Sequence, residues 1–124
     1  MNSNPVGWFE IYVQDMKRAK LFYESVFQTT LQELKSPAPD IEMWQFTSDQ
    51  NSYGASGALA KMNGVPSGGI GTIIYFACKD CAVEEARVTQ ASGRIQRSKM
   101  PIGQYGFISL VYDTEGNMIG LHSM

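Results

Sequence analysis

The sequence is poor in the residues from which most metal sites and cross-linked scaffolds are built. One histidine and two cysteines occur in 124 residues, so a disulfide-rich scaffold and a closed zinc site are not expected. No apolar run approaches the about eighteen residues that a membrane-spanning helix needs. Residues 1–5 have neither the basic start nor the apolar core of a signal peptide. These absences favour a cytoplasmic protein.

The chain also has no large excess of positive or negative charge. Ten basic and twelve acidic residues give a net charge of −2, which offers no electrostatic footprint for nucleic acid or an anionic membrane. Apolar residues are abundant: 44% of the chain is hydrophobic and 11% is aromatic, and this composition excludes disorder. A chain of this size buries roughly two thirds of its unfolded surface, enough for a core of its own.

The order of predicted elements repeats along the chain. A strand at residues 7–13 precedes an amphipathic helix at residues 16–27, with Asp15 as its N-cap. A second helix is predicted from its cap Asp80 to about Ser92, with Gly93 in the left-handed position that follows a helix. The inward stripe of the first helix is predicted to be Ala19, Phe22, Tyr23 and Val26. Further strands are predicted at residues 29–34, 43–47, 55–62, 72–77, 94–99, 107–112 and 118–122.

The two capped helices reveal an internal duplication. Asp15 and Asp80 are 80 − 15 = 65 residues apart, and the closing strands match at an offset of 63, which pairs Gly57 with Gly120. Residues 63–71 hold four glycines and a proline and are interpreted as a linker. We therefore predict one domain over residues 1–124, made of two βαβββ modules at residues 6–62 and 71–124.

The pattern resembles the vicinal oxygen chelate superfamily, which includes glyoxalases, bleomycin-resistance proteins and extradiol dioxygenases. The resemblance is carried by residues 8–23, 54–59 and 113–123, and it is nearest to the glyoxalase-related single-domain branch. It implies an α+β fold in which two βαβββ modules form a curved, cup-shaped mixed sheet with the helices outside. It also implies a homodimer and a small-molecule ligand, but no particular reaction, because such a fold hosts many functions.

The resemblance also identifies the positions where metal-dependent members hold a divalent cation. The matching residues are Trp8, Gly57, Ile73 and Gly120, and none of them offers a side-chain lone pair to a cation. Glycine at two of these positions is expected to leave space for a ligand. We therefore predict no metal and no cofactor. A slip of one residue in a strand would reverse its face and alter this assignment.

A ligand pocket is predicted from the alternation of side chains along the first and last strands. Glu10 and His122 are its titratable candidates for catalysis. Glu10 could equally be paired with a basic residue at the rim, and His122 could equally be a structural or dimer-contact residue. The predicted ligand-binding residues are Trp8, Glu10, Tyr12, Gly57, Ile73, Tyr105, Gly120 and His122.

Two further motifs have competing interpretations. Cys78 and Cys81 form a C-x-x-C, which is compatible with a redox dithiol, although two reduced residues that only fill space are favoured. Residues 103–106, which contain Tyr105, could border a ligand, although a plain turn is favoured.

Three functions remain open from the sequence. The first is a metal-free protein that binds a small organic molecule. The second is an enzyme in which Glu10 and His122 perform acid–base chemistry in place of a metal. The third is a metal-dependent enzyme such as a lactoylglutathione lyase, which requires the strand registers above to be wrong.

Overall fold

The computed structural model describes residues 4–36 and 38–124. Helices and strands combine in one chain with mixed strand pairing, so the predicted α+β class is confirmed. In chain order the elements are β1 (Val6–Tyr12), α1 (Met16–Phe27), β2 (Gln32–Leu34), β3 (Ile41–Gln45), β4 (Ser56–Met62), β5 (Thr72–Ala77), α2 (Cys81–Val88), β6 (Arg94–Pro101), a turn of 3₁₀ helix (Gly103–Tyr105), β7 (Phe107–Tyr112) and β8 (Met118–Ser123).

The chain divides into two compact units. The first unit comprises residues 9–72, and the second comprises residues 4–8 and 73–124. Strands of the first unit follow the order β2-β3-β4-β1, with antiparallel pairing of β2 with β3 and of β3 with β4. Its core forms where α1 packs on the sheet, around Met16, Leu31 and Leu59.

The second unit repeats this arrangement with different residues. Its strand order is β5-β8-β7-β6; β5 and β8 are parallel, whereas β8 with β7 and β7 with β6 are antiparallel. Its core lies against α2 and is built on Cys81, Val111 and Leu121. The repeated strand–helix–three-strand order that the sequence predicted is thus present in both units.

Helix α1 begins as predicted, but its core-facing stripe is narrower than expected. The Asp15 carboxylate accepts a hydrogen bond from the main-chain N–H of Arg18 at 3.0 Å. Phe22 and Val26, predicted to point inward, are 58% and 56% exposed. That part of the prediction is wrong because the sheet contacts a narrower strip than four apolar positions span. The residues that face the core are Met16, Ala19 and Tyr23.

Helix α2 ends earlier than predicted, at Val88 rather than near Ser92. The left-handed residue is Ser92, with φ +70°, and not Gly93, which the sequence had placed there. Gly93 is needed for space instead, because a Cβ at this position would lie 2.6 Å from the main-chain oxygen of Tyr112.

Main-chain hydrogen bonds correct the register of the duplication. The N–H of Val13 donates to the oxygen of Ala60 at 2.8 Å, and the N–H of Cys78 donates to the oxygen of His122 at 2.7 Å. The first strands therefore match at an offset of 78 − 13 = 65, whereas the last strands match at 122 − 60 = 62 rather than the expected 63. With this offset Gly120 is equivalent to Ala58, so the predicted pairing of Gly57 with Gly120 is wrong by one residue.

Some predictions concern residues that the structure does not describe. Residues 1–3 of the N-terminal segment and Pro37, in the loop predicted between the second and third strands, lie outside the described residues. Over the described ranges, neither helix combines the length and apolar character that crossing a bilayer requires.

Candidate functional site

The first unit has one sheet face that no helix of that unit covers. Ile11 contacts the core beside α1, so its neighbours on the strand, Glu10 and Tyr12, point to the opposite face. Leu59 lies in the same core, so Ala58 and Ala60 on either side of it point to the opposite face. Residues paired across β4, β3 and β2 point to the same side of the sheet, which assigns the faces of β3 and β2 as well. The helix-free face of the first unit is therefore formed by Glu10, Tyr12, Gln32, Leu34, Ile41, Met43, Gln45, Ser56, Ala58, Ala60 and Met62.

A buried carboxylate and phenol meet on this face. The Tyr12 hydroxyl donates a hydrogen bond to Oε1 of Glu10 at 2.9 Å, and the two residues are only 8% and 9% exposed. Burial, together with the Glu10 charge and this hydrogen bond, raises the pKa of the Tyr12 phenol far above its usual range. The phenol therefore stays protonated near neutral pH and acts as the donor.

The surroundings of this pair are neutral. The other strand residues of the helix-free face are apolar side chains, hydroxyls or amides, and none of them is charged. Met43 is 8% exposed, and Ala58 and Ala60 are fully buried. Gln45 adds an amide, which donates weakly to Ser56 Oγ at 3.4 Å. The hydrogen bond from the Tyr12 hydroxyl is one interaction that stabilises this buried carboxylate.

Gly57 does not belong to this face. A Cβ at Gly57 would lie 2.5 Å from the ring of Phe9, and that ring packs on Phe46 with centroids 5.7 Å apart. Phe46 belongs to the core beside α1. The prediction that Gly57 lines the pocket and leaves space there is therefore wrong, because the phase of β4 turns it toward the helix. Ala58 takes its place on the helix-free face.

In the second unit, an aromatic ring fills the space that Gly120 was expected to leave open. Gly120 pairs with Tyr75 across the parallel strands β8 and β5, and a Cβ on Gly120 would overlap the Tyr75 ring. Ile73 lies on the same face of β5 and is 4% exposed. Gly120 thus supports a tyrosine and leaves no vacancy for a ligand.

His122 is held by the turn that precedes β7. Its Nε2 lies 2.7 Å from the main-chain oxygen of Tyr105, and because a carbonyl can only accept, Nε2 carries the proton. In the neutral ring Nδ1 is then the acceptor. The turn itself sits tightly against the chain end: Gly106 has φ +97°, and a Cβ there would overlap the oxygen of Ser123. Tyr105 therefore contributes its main-chain oxygen to His122.

The two cysteines are reduced and poorly suited to redox chemistry. Cys81 is fully buried and lies in the core of the second unit. Burial, with a further contribution from the Glu84 carboxylate, raises the pKa of the Cys78 thiol to about 11. A thiol of that pKa is almost wholly protonated near neutrality and reacts slowly. The space-filling interpretation of the C-x-x-C is the one that this geometry supports.

The remaining predicted residue, Trp8, lies on β1 and is half-buried. A shallow depression of about 230 Å³ in the first unit contains none of the predicted site residues, although Ile41 and Met62 at its edge also belong to the helix-free face. It is lined by Pro39, Asp40, Ile41, Glu42, Lys61, Met62 and Asn63.

Several members of the helix-free face were not predicted from the sequence. Met43 and Gln45 reach it because β3 pairs with β4 in a register that sets Met43 opposite Ala60 and Gln45 opposite Ala58. The alternation of apolar and polar residues in β3 was visible in the sequence, but its partner strand was not.

The residues at the ligand positions of metal-dependent relatives do not fit a metal ion. With the corrected register these positions are Trp8, Ala58, Ile73 and Gly120, and none of these side chains can coordinate a cation. Within residues 4–36 and 38–124, no three His, Cys, Asp or Glu side chains lie close enough together to share an ion.

Comparison with known families and structures identifies the fold. The family model described as "Glyoxalase/Bleomycin resistance protein/Dioxygenase superfamily" matches residues 6–121, whereas no curated protein matches the chain significantly. A variant of methylmalonyl-CoA epimerase from Streptomyces coelicolor, in complex with 2-nitronate-propionyl-CoA, has a TM-score of 0.68 and 15% identity, covering 97% of this chain and 96% of that one.

Two other solved structures have comparable similarity. Methylmalonyl-CoA epimerase from Mycobacterium tuberculosis has a TM-score of 0.68 at 15% identity, covering 96% of this chain and 87% of that one. A hypothetical protein from Bacillus halodurans C-125 has a TM-score of 0.71 at 13% identity, covering 99% and 96%. At these identities the similarity establishes the fold alone.

Proposed function

The chain belongs to the Glyoxalase/Bleomycin resistance protein/Dioxygenase superfamily, and on that premise we propose that it binds a small organic molecule without a metal ion. In this proposal the ligand contacts the helix-free face of the first unit, and Glu10 makes the principal polar contact. The observation that carries the proposal is the buried carboxylate of Glu10, which accepts a hydrogen bond from Tyr12 among apolar neighbours.

A buried carboxylate such as Glu10 reduces stability. Burying an ionised carboxylate costs several kcal/mol unless hydrogen bonds or opposite charges replace the lost water. A leucine among Met43, Ala58 and Ala60 would avoid that cost. Residues that reduce stability in this way are concentrated at sites where function requires them.

The chemical character of the face indicates the class of ligand. Because none of the strand residues that form this face is a lysine or an arginine, an anionic group is not favoured there. We propose that the part of the ligand beside Glu10 is neutral or cationic and donates a hydrogen bond to the carboxylate. Acyl-CoA esters belong in a ligand screen because similar structures hold 2-nitronate-propionyl-CoA and methylmalonyl-CoA. The acyl ends of those two compounds are anionic, so esters whose acyl group has no negative charge are the ones expected to bind beside Glu10.

Apart from Glu10 and Tyr12, the predicted residues lie outside the helix-free face of the first unit. Trp8, Ile73 and His122 belong to the second unit, and we propose them as ligand contacts of that unit taken by itself, Trp8 and Ile73 through apolar area and His122 through Nδ1. Gly120 acts through the Tyr75 ring that it accommodates, and Tyr105 acts through its main-chain oxygen. Gly57 is not included, because Phe9 covers it.

The experiment has two stages. Native mass spectrometry of the purified protein is expected to show a co-purified organic molecule or, after a screen, a bound one. Glu10→Gln is then expected to weaken binding about 10- to 100-fold, the effect of losing a hydrogen bond to a charged group. Glu33→Gln, which changes an exposed carboxylate on β2, is the matched control and should bind normally. Equal binding by all three proteins, or binding that a chelator abolishes, contradicts the proposal.

A second candidate function is acid–base catalysis by Glu10. It is favoured by the hydrogen-bonded carboxylate and phenol, which resemble the arrangement of a base and its supporting donor. Transfer of deuterium from solvent to a carbon of the bound compound would support catalysis, and its loss in Glu10→Gln would assign the base. Binding without any exchange or turnover leaves the binding protein as the function.

We also propose that the chain is one cytoplasmic domain that forms a homodimer. Exposed apolar side chains on α1 support a partner surface: Leu21, Phe22, Val26 and Phe27 are all more than half exposed. Light scattering at tens of micromolar is expected to give twice the 13.7 kDa mass of the chain. A monomeric mass contradicts the dimer without affecting the ligand proposal.

A further inference from the structure

The Tyr12 hydroxyl is directed at another side chain of the helix-free face, because it donates a hydrogen bond to Glu10. We infer that Tyr12 is a positioning residue: its hydroxyl orients the Glu10 carboxylate on the helix-free face and favours the ionised form of that carboxylate. The inference rests on the proposed function in one respect, namely that Glu10 is the group that meets the ligand.

The geometry of the pair supports this role. The two residues are separated by one position on β1, so their side chains leave the same face of the strand. The hydrogen bond from the Tyr12 hydroxyl to Glu10 Oε1 is 2.9 Å long. The main chain around Tyr12 is anchored on both sides, since its N–H donates to Gly71 O at 2.6 Å and the N–H of Val13 donates to Ala60 O at 2.8 Å. The donor is therefore held in place relative to its acceptor.

The hydrogen bond from Tyr12 acts directly on the ionisation of Glu10. Within the first unit, no strand residue on the helix-free face of β2, β3 or β4 is charged or titratable, and α1 packs on the other face. Burial opposes ionisation of a carboxyl group, whereas a donated hydrogen bond favours it. Replacing tyrosine by phenylalanine removes the Tyr12 donor and leaves the ring that packs beside Glu10.

The test measures the titration of Glu10 directly and needs no ligand. Protein labelled with ¹³C at the glutamate carboxyl carbons is titrated by NMR, and the Glu10 signal is identified by its absence in Glu10→Gln. In Tyr12→Phe the midpoint of the Glu10 titration is expected to rise by about one pH unit, a tenfold change in the proton-binding constant. Tyr23→Phe is the matched control, because Tyr23 packs beside α1 on the opposite face, and its Glu10 midpoint should equal that of the wild type.

A second measurement keeps the inference testable if Tyr12→Phe does not fold. In the wild-type protein, the Tyr12 hydroxyl proton should exchange slowly enough with water to give its own ¹H resonance, which should disappear in Glu10→Leu. An unchanged Glu10 midpoint in folded Tyr12→Phe, or a hydroxyl resonance that persists in Glu10→Leu, overturns the inference. Neither result depends on ligand binding, so failure of the proposed function would be recognised separately, in the binding of Glu10→Gln.

Discussion

The two units use the same backbone pattern with opposite distributions of functional side chains. In the first unit the polar groups lie on the first strand, at Glu10 and Tyr12, and the equivalent last-strand positions are Ala58 and Ala60. In the second unit the imidazole is on the last strand, at His122, and its Nε2 lies 2.7 Å from the main-chain oxygen of Tyr105. Its first strand carries Tyr75 and Ala77 at the matching positions.

This difference shows how duplicated units preserve packing while they exchange chemistry. The tyrosine on the first strand of the second unit requires a glycine opposite it, since a Cβ on Gly120 would overlap the Tyr75 ring. Where the first unit has the smaller Glu10, its last strand has room for Ala58. Large and small residues are thus exchanged as pairs, because the interior of each unit is close-packed.

The largest expected effect concerns a contact that only the second unit contains. Gly106→Ala should reduce the free energy of unfolding by about 3 kcal/mol or more, because it combines a left-handed φ with overlap on the Ser123 oxygen. Gly68→Ala in the first unit is the control, since Gly68 has φ +90° but open space around its Cβ position. Urea unfolding of both variants measures the difference. An equal loss of unfolding free energy in both variants would mean that Gly106 is not packed against Ser123.

Exchanging the small residues of the two units tests their packing. Gly120→Ala is expected to cost about 2 kcal/mol, because the added methyl group must displace the Tyr75 ring. The reverse change in the other unit, Ala58→Gly, should cost only about 1 kcal/mol, from backbone entropy and a small loss of contact. Tyr75→Ala combined with Gly120→Ala should show a favourable coupling in a double-mutant cycle. Additive effects would indicate that the ring and the glycine are not neighbours.

The polar pair of the first unit should show coupling of its own. Tyr12→Phe is expected to cost about 1–2 kcal/mol in the wild type at pH 7, because the buried Glu10 carboxylate loses a donor. In the Glu10→Leu background the same change should cost almost nothing, and Glu10→Leu itself should leave stability unchanged or raise it. Denaturant unfolding of the four proteins gives the coupling energy. A cost of Tyr12→Phe that is independent of Glu10 would argue against the pair.

The smallest effect is expected where the units already tolerate different residues. Cys78 is equivalent to Val13, so Cys78→Val should change the free energy of unfolding by less than about 0.5 kcal/mol. With a thiol pKa of about 11, only roughly one thiol in a thousand is ionised at pH 8. Alkylation by iodoacetamide should therefore be slow at pH 8 and accelerate up to about pH 11. Rapid alkylation near neutrality would reopen the redox interpretation of the C-x-x-C.

Much of the fold was predictable because local patterns specify it. Asp15 and Asp80 are N-caps in the structure as in the sequence, where they accept hydrogen bonds from Arg18 and Ala82. The order of strands and helices, the α+β class and the superfamily followed from such patterns. The extent of α2 and the width of the core-facing stripe of α1 did not, because helix ends and buried stripes depend on what the sheet presents to them.

The candidate site was predictable only in part. Alternation along β1 placed Glu10 and Tyr12 on one face, and the structure joins them by a hydrogen bond. Gly57 was misassigned because alternation has a period of two, and the sequence does not determine its phase relative to another strand. The last strands of the two units are related by an offset of 62 residues rather than the predicted 63. This difference of one residue places Gly57 on the helix side of β4 instead of the helix-free face.

The sequence by itself determined the elements, their duplication, the superfamily and the absence of ligating side chains at the expected metal positions. These properties are local or depend only on residue identity. Only the tertiary structure decided that Phe9 covers Gly57, that Tyr75 occupies the space beside Gly120, and that the turn at residues 103–106 supports His122. Each of these contacts joins residues distant in the chain, and their partners are selected by close packing and strand register, which no local pattern encodes.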